Sequence, residues 1–322
     1  MKKIQMGKIA DKIIDINLQM KAGEKIAIIT EPEKLKIAET IAASAYRKDI
    51  EPVIVIMIPR DTDSQEPPKI VAEAMKGSDA FVSVVGKSIT HTNAVKDAIK
   101  EGSRGVVLTQ FSEDMMIRGG MEANFAELAP VCRKVADALA AANHIHLTNP
   151  YGTDLTFDTT GRRGNALFCI VEKGKFSTAP TIEANTTPIE GSAQGVIVAD
   201  ASCPYIGIGL LTEPIRLEVK DGFITEITGG KQAKMLADDL ASKNDPGVYN
   251  IAELGIGLNP SCRFIGLMLE DEGVYGSAHI GIGTSLNLGG TLKAACHYDV
   301  IMTKPTVVAD GKTIMKDGEL QI

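Results

Sequence analysis

Two side chains near the C-terminus, His297 and Asp299, have the types and spacing needed to bind a divalent metal ion. The segment CHYDVIM that contains them is typical of a β-strand, in which alternate residues face the same side. An imidazole and a carboxylate about 7 Å apart along a strand can therefore converge on one ion. The alternative interpretation is a hydrogen-bonded pair on a solvated strand face, and the spacing by itself leaves both open.

Further candidate donors lie in apolar or glycine-rich surroundings. His279 is in AHIGIGTSLNLGG, whose glycines allow tight turns beside a bulky group, although such a loop can also pack against a sheet. Glu253 interrupts the apolar stretch AELGIGLNP, and a buried carboxylate needs a partner such as a cation. Glu183 and Glu190 come just before an apolar strand. These residues, with His297 and Asp299, predict a divalent-metal site in the C-terminal half.

Another histidine pair is predicted to play no part in metal binding. His144 and His146 share one face of the predicted strand HIHLTN, but no carboxylate lies close to them in sequence. His91 opens a predicted helix, where a surface or capping role is expected. The five cysteines are widely spaced and form no CxxC pair, which argues against a disulfide framework and against structural zinc.

Composition excludes several classes of function. The net charge is −7 without a basic cluster, which argues against nucleic acid because binding to it depends on neutralising phosphates. No apolar run approaches the roughly 20 residues needed to cross a bilayer. The N-terminus lacks the apolar core and cleavage site of a signal peptide. We therefore expect a cytoplasmic protein that contacts neither membrane nor nucleic acid.

The elements that must position the site fall into two predicted domains, 1–145 and 146–322. In the first, the apolar runs KIAIIT, VIVIMI, AFVSVV and GVVLT alternate with helical patterns, which indicates a doubly wound α/β domain with a parallel sheet. It contains neither GxGxxG nor GxxxxGK[ST], so a nucleotide site is not supported. A long helix is predicted over roughly 121–142.

The second predicted domain has a different pattern. TDLTFDTTG alternates with period two, and the dipeptides Asp221-Gly222 and Asp310-Gly311 are strong hairpin signals. One helix is predicted over 231–243. We therefore predict a mostly antiparallel, β-rich domain that carries the metal site and the catalytic residues.

These segments, in this order, resemble the aminopeptidase T family of metallopeptidases and its shorter relatives. The matching pieces are KAGEKIAIIT, E-x-x-x-x-P at Glu183–Pro188, AELGIGLNP, AHIGIG and HYD. The resemblance implies an α/β domain, a β-rich domain, a homodimer and a cocatalytic pair of divalent ions. It places the metal ligands as follows: Glu183, Glu253, His279, His297 and Asp299.

The chain departs from that family at Leu286, where the aminopeptidases carry a tyrosine seven residues after the first ligand histidine. This puts peptidase activity in doubt. The sequence is also similar to the 2,5-dihydroxypyridine dioxygenases, whose site uses one iron(II). A histidine pair and one carboxylate on one face, here His279, His297 and Asp299, suit such a mononuclear site.

The leading hypothesis from the sequence is an aminopeptidase-type hydrolase of small peptides or other small molecules. Two ions of zinc, cobalt or manganese would activate a water, with Glu253 as a bridging ligand and Glu190 as the candidate general base. The alternative is a mononuclear iron(II) ring-cleaving dioxygenase. A metal-stabilised binding protein without turnover is the third hypothesis.

Overall fold

A computed structural model describes residues 1–322, which form two compact units. The first unit comprises Met1–Ala126 and Phe168–Pro180, and the second comprises Glu127–Leu167 and Thr181–Ile322. The seven α-helices are α1 (Lys2–Lys12), α2 (Leu35–Tyr46), α3 (Lys69–Lys76), α4 (Asn93–Lys100), α5 (Phe125–Ala141), α6 (Lys231–Ser242) and α7 (Met268–Asp271). None of these helices combines the length and the apolar character that crossing a bilayer requires.

The strands of the N-terminal half are β1 (Lys25–Thr30), β2 (Glu51–Ile56), β3 (Ala80–Val85), β4 (Arg104–Thr109), β5 (His144–Thr148), β6 (Asp154–Asp158) and β7 (Gly164–Leu167). They are followed by β8 (Phe176–Thr178), β9 (Glu183–Thr186), β10 (Gln194–Ala199), β11 (Ser202–Cys203), β12 (Gly209–Leu210), β13 (Ile215–Lys220) and β14 (Phe223–Thr228). The last six are β15 (Ile251–Gly257), β16 (Ser277–Gly283), β17 (His297–Thr303), β18 (Thr306–Ala309), β19 (Lys312–Lys316) and β20 (Glu319–Leu320).

The first unit contains a parallel sheet in the order β2-β1-β3-β4-β8. Its central strands β3 and β4 are fully buried, as expected for apolar runs covered on both faces. Gly105 of β4 is required by packing, since a Cβ there would lie 2.1 Å from Cζ of Phe81. β2 lies at the edge of the sheet and is only partly buried. The predicted parallel α/β domain is therefore confirmed.

The two units are not separated by the single boundary after residue 145 that was predicted from the sequence. After β7 the chain returns to the first unit over Phe168–Pro180, where β8 pairs in parallel with β4. Most of helix α5, in contrast, belongs to the second unit. The periodicity of the sequence does not reveal this return to the first unit, because β8 is only three residues long.

The second unit contains two sheets whose neighbouring strands pair in antiparallel fashion, in agreement with the predicted β-rich domain. One has the order β14-β13-β10-β6-β5-β18-β19-β20, and the other β12-β11-β17-β16-β15-β9-β7. The predicted hairpin at Asp221-Gly222 joins β13 to β14, and both residues have positive φ angles (50° and 80°). Positive φ at both central positions is the type I′ pattern that the Asp-Gly dipeptide favours.

Candidate metal centre

Four neighbouring strands of the seven-stranded sheet carry the predicted donors. Glu183 opens β9, Glu253 lies in β15, His279 in β16, and His297 and Asp299 in β17. These strands are adjacent in the order β17-β16-β15-β9. Because residues paired across antiparallel strands share a face, the registers place all five side chains on one face of the sheet.

Glycines open the space that these side chains fill. Gly281 pairs with Glu253 on one side and with Asp299 on the other. A Cβ at Gly281 would lie 2.7 Å from Cε1 of His297 and 2.8 Å from Cβ of Glu253. Gly255 pairs with His279, and a Cβ there would lie 2.0 Å from its Nε2 atom. The repeated GIG segments therefore make room for the donors.

The donor atoms form two groups that share Glu253. Oε2 of Glu253 lies 3.0 Å from Nε2 of His297, and Oε1 lies 3.9 Å from Nε2 of His279. Oδ1 of Asp299 is 3.4 Å from Nε2 of His297, and Oε2 of Glu183 is 3.6 Å from Nε2 of His279. Within each group of three residues, the ligand atoms lie within 4.8 Å of one another.

Hydrogen bonds to neighbouring groups orient two of the donors, Glu183 and His297. The side-chain amide of Asn185 donates to Oε1 of Glu183 at 2.9 Å. Nδ1 of His297 lies 2.8 Å from the carbonyl oxygen of Thr284, which leaves Nε2 facing the carboxylates. A histidine that donates one ring N–H to a backbone carbonyl presents its other nitrogen in a fixed direction, as metal-binding histidines do.

The donor set fits a divalent cation. Three of its buried atoms have no hydrogen-bond partner within the protein: Oε2 of Glu183, Nδ1 of His279 and Oδ1 of Asp299. A buried carboxylate oxygen without a partner is costly, and the unpartnered oxygens of Glu183 and Asp299 both face a histidine Nε2. Carboxylate oxygens and imidazole nitrogens are the donors that zinc and iron accept.

The charged side chains of the donor groups shift one another's pKa values. Burial alone would lower the pKa of His279, but its contacts with Glu253 and the charge of Glu183 raise that pKa to about 9. Burial raises the pKa of Glu183 to about 7, although the charge of His279 acts in the opposite direction. Burial would also raise the pKa of Asp299, yet the charge of His297 holds it below its usual range. The buried carboxylates thus raise the pKa of both histidines.

Glu190, the candidate general base, lies outside both donor groups. Its carboxylate pairs with Arg162 and accepts hydrogen bonds from the Thr291 N–H at 2.7 Å and the Ser285 hydroxyl at 3.1 Å. Burial alone would raise the pKa of Glu190, but these donors bring it to about 2. A carboxylate with so low a pKa is a poor base at neutral pH. The geometry therefore favours a role in fixing the segment 285–291 over the predicted general-base role.

Two further residues beside the donors, Tyr205 and Glu272, have no signal in the sequence. The Tyr205 hydroxyl lies 2.5 Å from Oδ2 of Asp299 and 3.1 Å from Oε1 of Glu272. Burial and the charge of Asp299 raise the pKa of Glu272 well above its usual range. The hydrogen bond from Asn185 to Glu183, in contrast, could have been predicted from the sequence, because Asn185 lies two residues after Glu183 on the same strand face.

The histidine pair on β5 lies on another sheet, away from the five donors. Each histidine has a carboxylate partner across the strand pair, contrary to the expectation from sequence neighbours. Nδ1 of His144 is 3.0 Å from Asp158, and Nε2 of His146 is 2.7 Å from Asp154. Both pairs are exposed and neither belongs to a group of three donors.

Comparison with known families identifies the relatives of this chain. The family model described as NicX, 2,5-dihydroxypyridine 5,6-dioxygenase, matches residues 16–322. The chain belongs to this dioxygenase family. A curated 2,5-dihydroxypyridine 5,6-dioxygenase of Pseudomonas putida KT2440 is 31% identical over 159 residues. That alignment covers 46% of this chain and 45% of the relative, so the chain spans less than half of the relative's length.

Two solved structures share the fold of this member of the dioxygenase family. The 2,5-dihydroxypyridine dioxygenase of P. putida KT2440 has a TM-score of 0.83 at 19% identity, over 99% of this chain and 97% of the other. AmpT from Thermus thermophilus has a TM-score of 0.72 at 18% identity, over 99% and 100%. The suspected relationship to the dioxygenases is confirmed, and the likeness to AmpT is one of fold. The sequence hypotheses placed the aminopeptidase first, whereas the family match favours the dioxygenase that stood as the alternative.

Proposed function

We propose that this protein is a mononuclear iron(II) dioxygenase that opens a small, electron-rich, hydroxylated aromatic ring. The family match over residues 16–322 carries the proposal. The site supports it, because His279, His297 and Asp299 supply two imidazoles and one carboxylate on a single sheet face. Two histidines and one carboxylate form the facial set that holds non-haem iron(II) and leaves positions open for substrate and oxygen.

The protein's own residues would position and enclose this chemistry. Bound iron(II) would activate dioxygen, so that both oxygen atoms enter the ring as one carbon–carbon bond breaks. Oε2 of Glu183, which has no hydrogen-bond partner in the protein, is suited to accept a hydrogen bond from a substrate hydroxyl. The burial of Glu183, Glu253 and Asp299 keeps bulk water away and strengthens the electrostatic contacts.

The test is an oxygen-uptake assay with 2,5-dihydroxypyridine after anaerobic loading with iron(II). We expect one iron per chain, one oxygen molecule consumed per ring, and both atoms of labelled oxygen in the product. Asp299→Ala should abolish uptake, whereas Asp154→Ala, which changes an exposed His–Asp pair elsewhere, serves as a matched control. Absence of uptake with dihydroxypyridines and simple diphenols, in iron-loaded folded protein, would refute the proposal.

One observation favours a second candidate, a two-metal hydrolase. Glu253 belongs to both groups of three donors, and a carboxylate has two oxygens to offer two ions. Two divalent ions about 3.5–4 Å apart would lower the pKa of a water for attack on an amide. Two ions per chain together with aminoacyl-amide hydrolysis would favour this candidate, and one iron with oxygen uptake would exclude it.

A further inference from the structure

The Tyr205 hydroxyl lies between two carboxyl groups that come from distant parts of the chain. It is 2.5 Å from Oδ2 of Asp299, 94 residues away, and 3.1 Å from Oε1 of Glu272, 67 residues away. A phenol carries a single hydrogen, so Tyr205 can donate to only one of the two. The shorter contact, to Asp299, identifies Asp299 as the acceptor.

The two oxygens of Asp299 have different surroundings. Oδ2 accepts the hydrogen bond from Tyr205, whereas Oδ1 is buried, accepts no hydrogen bond and lies 3.4 Å from Nε2 of His297. Rotation of the carboxylate would exchange the two oxygens, and the hydrogen bond from Tyr205 opposes this rotation. Glu183 shows the same division, with Asn185 holding one oxygen and the other left free.

The backbone and the ring of Tyr205 are themselves fixed. Ser202, in β11, pairs with Ile301 of β17, which anchors the segment three residues before the tyrosine. A turn follows, in which the Ile208 N–H donates to the Tyr205 carbonyl at 2.9 Å. The ring of Tyr205 packs against that of Tyr298, with centroids 4.9 Å apart. Tyr205 thus offers its hydroxyl from a constrained position.

We propose that Tyr205 is a positioning residue, which holds Asp299 through Oδ2 so that Oδ1 remains directed at the cation site. The inference rests on the proposed function in one respect, the assignment of Asp299 as a metal ligand. It extends that function by naming the group that orients this ligand, the Tyr205 hydroxyl, which donates to Oδ2 of Asp299. Groups that orient a metal ligand typically contribute about 10–100-fold to metal affinity.

The test measures metal affinity directly, by anaerobic titration of metal-free protein with iron(II), and with cobalt(II) as a spectroscopic probe. Tyr205→Phe removes only the hydroxyl and keeps the ring packed on Tyr298. We expect the dissociation constant to rise about 10–100-fold, with a changed cobalt absorption spectrum. The matched control is Tyr298→Phe, which removes the same atom from the partner ring, where the hydroxyl contacts Lys243 and Asp239. Its metal affinity should stay within about threefold of the wild type.

A substitution of Glu272 gives a second test, which does not depend on the stability of Tyr205→Phe. Glu272→Gln leaves the hydrogen bond from Tyr205 to Asp299 in place, so its metal affinity should remain within about threefold of the wild type. A loss in Glu272→Gln as large as that in Tyr205→Phe would overturn the assignment of the positioning role to Tyr205.

The outcomes separate this inference from the proposed function. If Asp299→Asn leaves metal binding unchanged, then Asp299 is not a ligand and the proposed site itself fails. If Asp299→Asn abolishes binding but Tyr205→Phe changes it less than threefold, the site stands and the positioning role of Tyr205 is refuted. Equal losses in Tyr205→Phe and Tyr298→Phe would also refute it, because the effect would then not be specific to the hydroxyl that contacts Asp299.

Discussion

Oε2 of Glu253 lies 3.0 Å from Nε2 of His297, although 44 residues separate them in the chain. Its other oxygen faces His279 at 3.9 Å, so this one buried carboxylate lies between the two histidines of the proposed iron site. Glu253 is the position at which the mononuclear and the two-metal hypotheses give different expectations. The strand register, with Glu253 opposite Gly281 and Gly281 opposite Asp299, produces this arrangement.

The first prediction concerns Glu253→Gln. In the mononuclear site the ion is held by His279, His297 and Asp299, so the variant should retain about one iron per chain by metal analysis. In a two-metal site the loss of an anionic bridge would release one ion, because two neighbouring cations repel each other strongly. A fall from two ions to one, accompanied by loss of amide hydrolysis, would contradict the mononuclear proposal.

The second prediction concerns the histidine pair of β5. His144 and His146 are exposed and pair with Asp158 and Asp154 on a different sheet. We expect the double variant His144→Gln, His146→Gln to keep its iron content and its oxygen uptake. His297→Gln, measured in parallel, should lose both. Metal lost from a folded double variant would show that β5 contributes to the site.

The third prediction concerns the space provided by Gly281. In Gly281→Ala the new Cβ would lie 2.7 Å from Cε1 of His297 and 2.8 Å from Cβ of Glu253, so these side chains must move apart. We expect the free energy of unfolding of the metal-free protein to fall by about 1–3 kcal/mol, together with a weaker affinity for iron. Urea unfolding and metal titration measure the two effects.

A matched control for that substitution is Gly7→Ala in α1. No atom lies within 4 Å of a Cβ added there, and Gly7 lies in a helix, where alanine is favoured by about 1 kcal/mol. The control should therefore be neutral or slightly stabilising, with unchanged metal affinity. Equal effects of the two glycine substitutions would mean that the crowding at Gly281 is absorbed without moving the donors.

The fourth prediction concerns the pH dependence contributed by Glu190. Its pKa is about 2 in the folded protein, against 4.5 for an unperturbed glutamate. A lowered folded-state pKa stabilises the fold above pH 4.5, and that contribution disappears as the pH falls towards 2. Glu190→Gln should therefore lower the free energy of unfolding at pH 7 by about 1 kcal/mol, a value reduced for solvent screening.

The measurement for Glu190 is urea unfolding of wild type and variant between pH 7 and pH 2. The difference in stability should be largest at pH 7 and should shrink as the pH falls below 4.5. Glu226→Gln, which removes one carboxylate at an exposed position, is the matched control. A difference that grows towards low pH would contradict the assigned contacts with Arg162, Ser285 and Thr291.

The sequence by itself determined the features that depend on local periodicity. The shared face of His297 and Asp299 follows from the alternation of a strand, and the structure confirms that strand over His297–Thr303. The Asp221-Gly222 hairpin and helix α6 follow from the turn preference of Asp-Gly and from helical spacing. The four parallel strands follow from their continuous apolar runs.

Only the tertiary structure decided which distant groups meet. The spacing of residues along a strand predicts which face a side chain lies on. It does not predict which strands are neighbours, because strand pairing depends on the path of the long connections between the strands. Tyr205 therefore reaches Asp299, and Arg162 reaches Glu190, with no local signal that predicts either contact. β8 joins the parallel sheet for the same reason, since the chain leaves the first unit before it returns. The roles of Tyr205 and Glu190 thus follow from strand pairing and loop closure, on which periodicity carries no information.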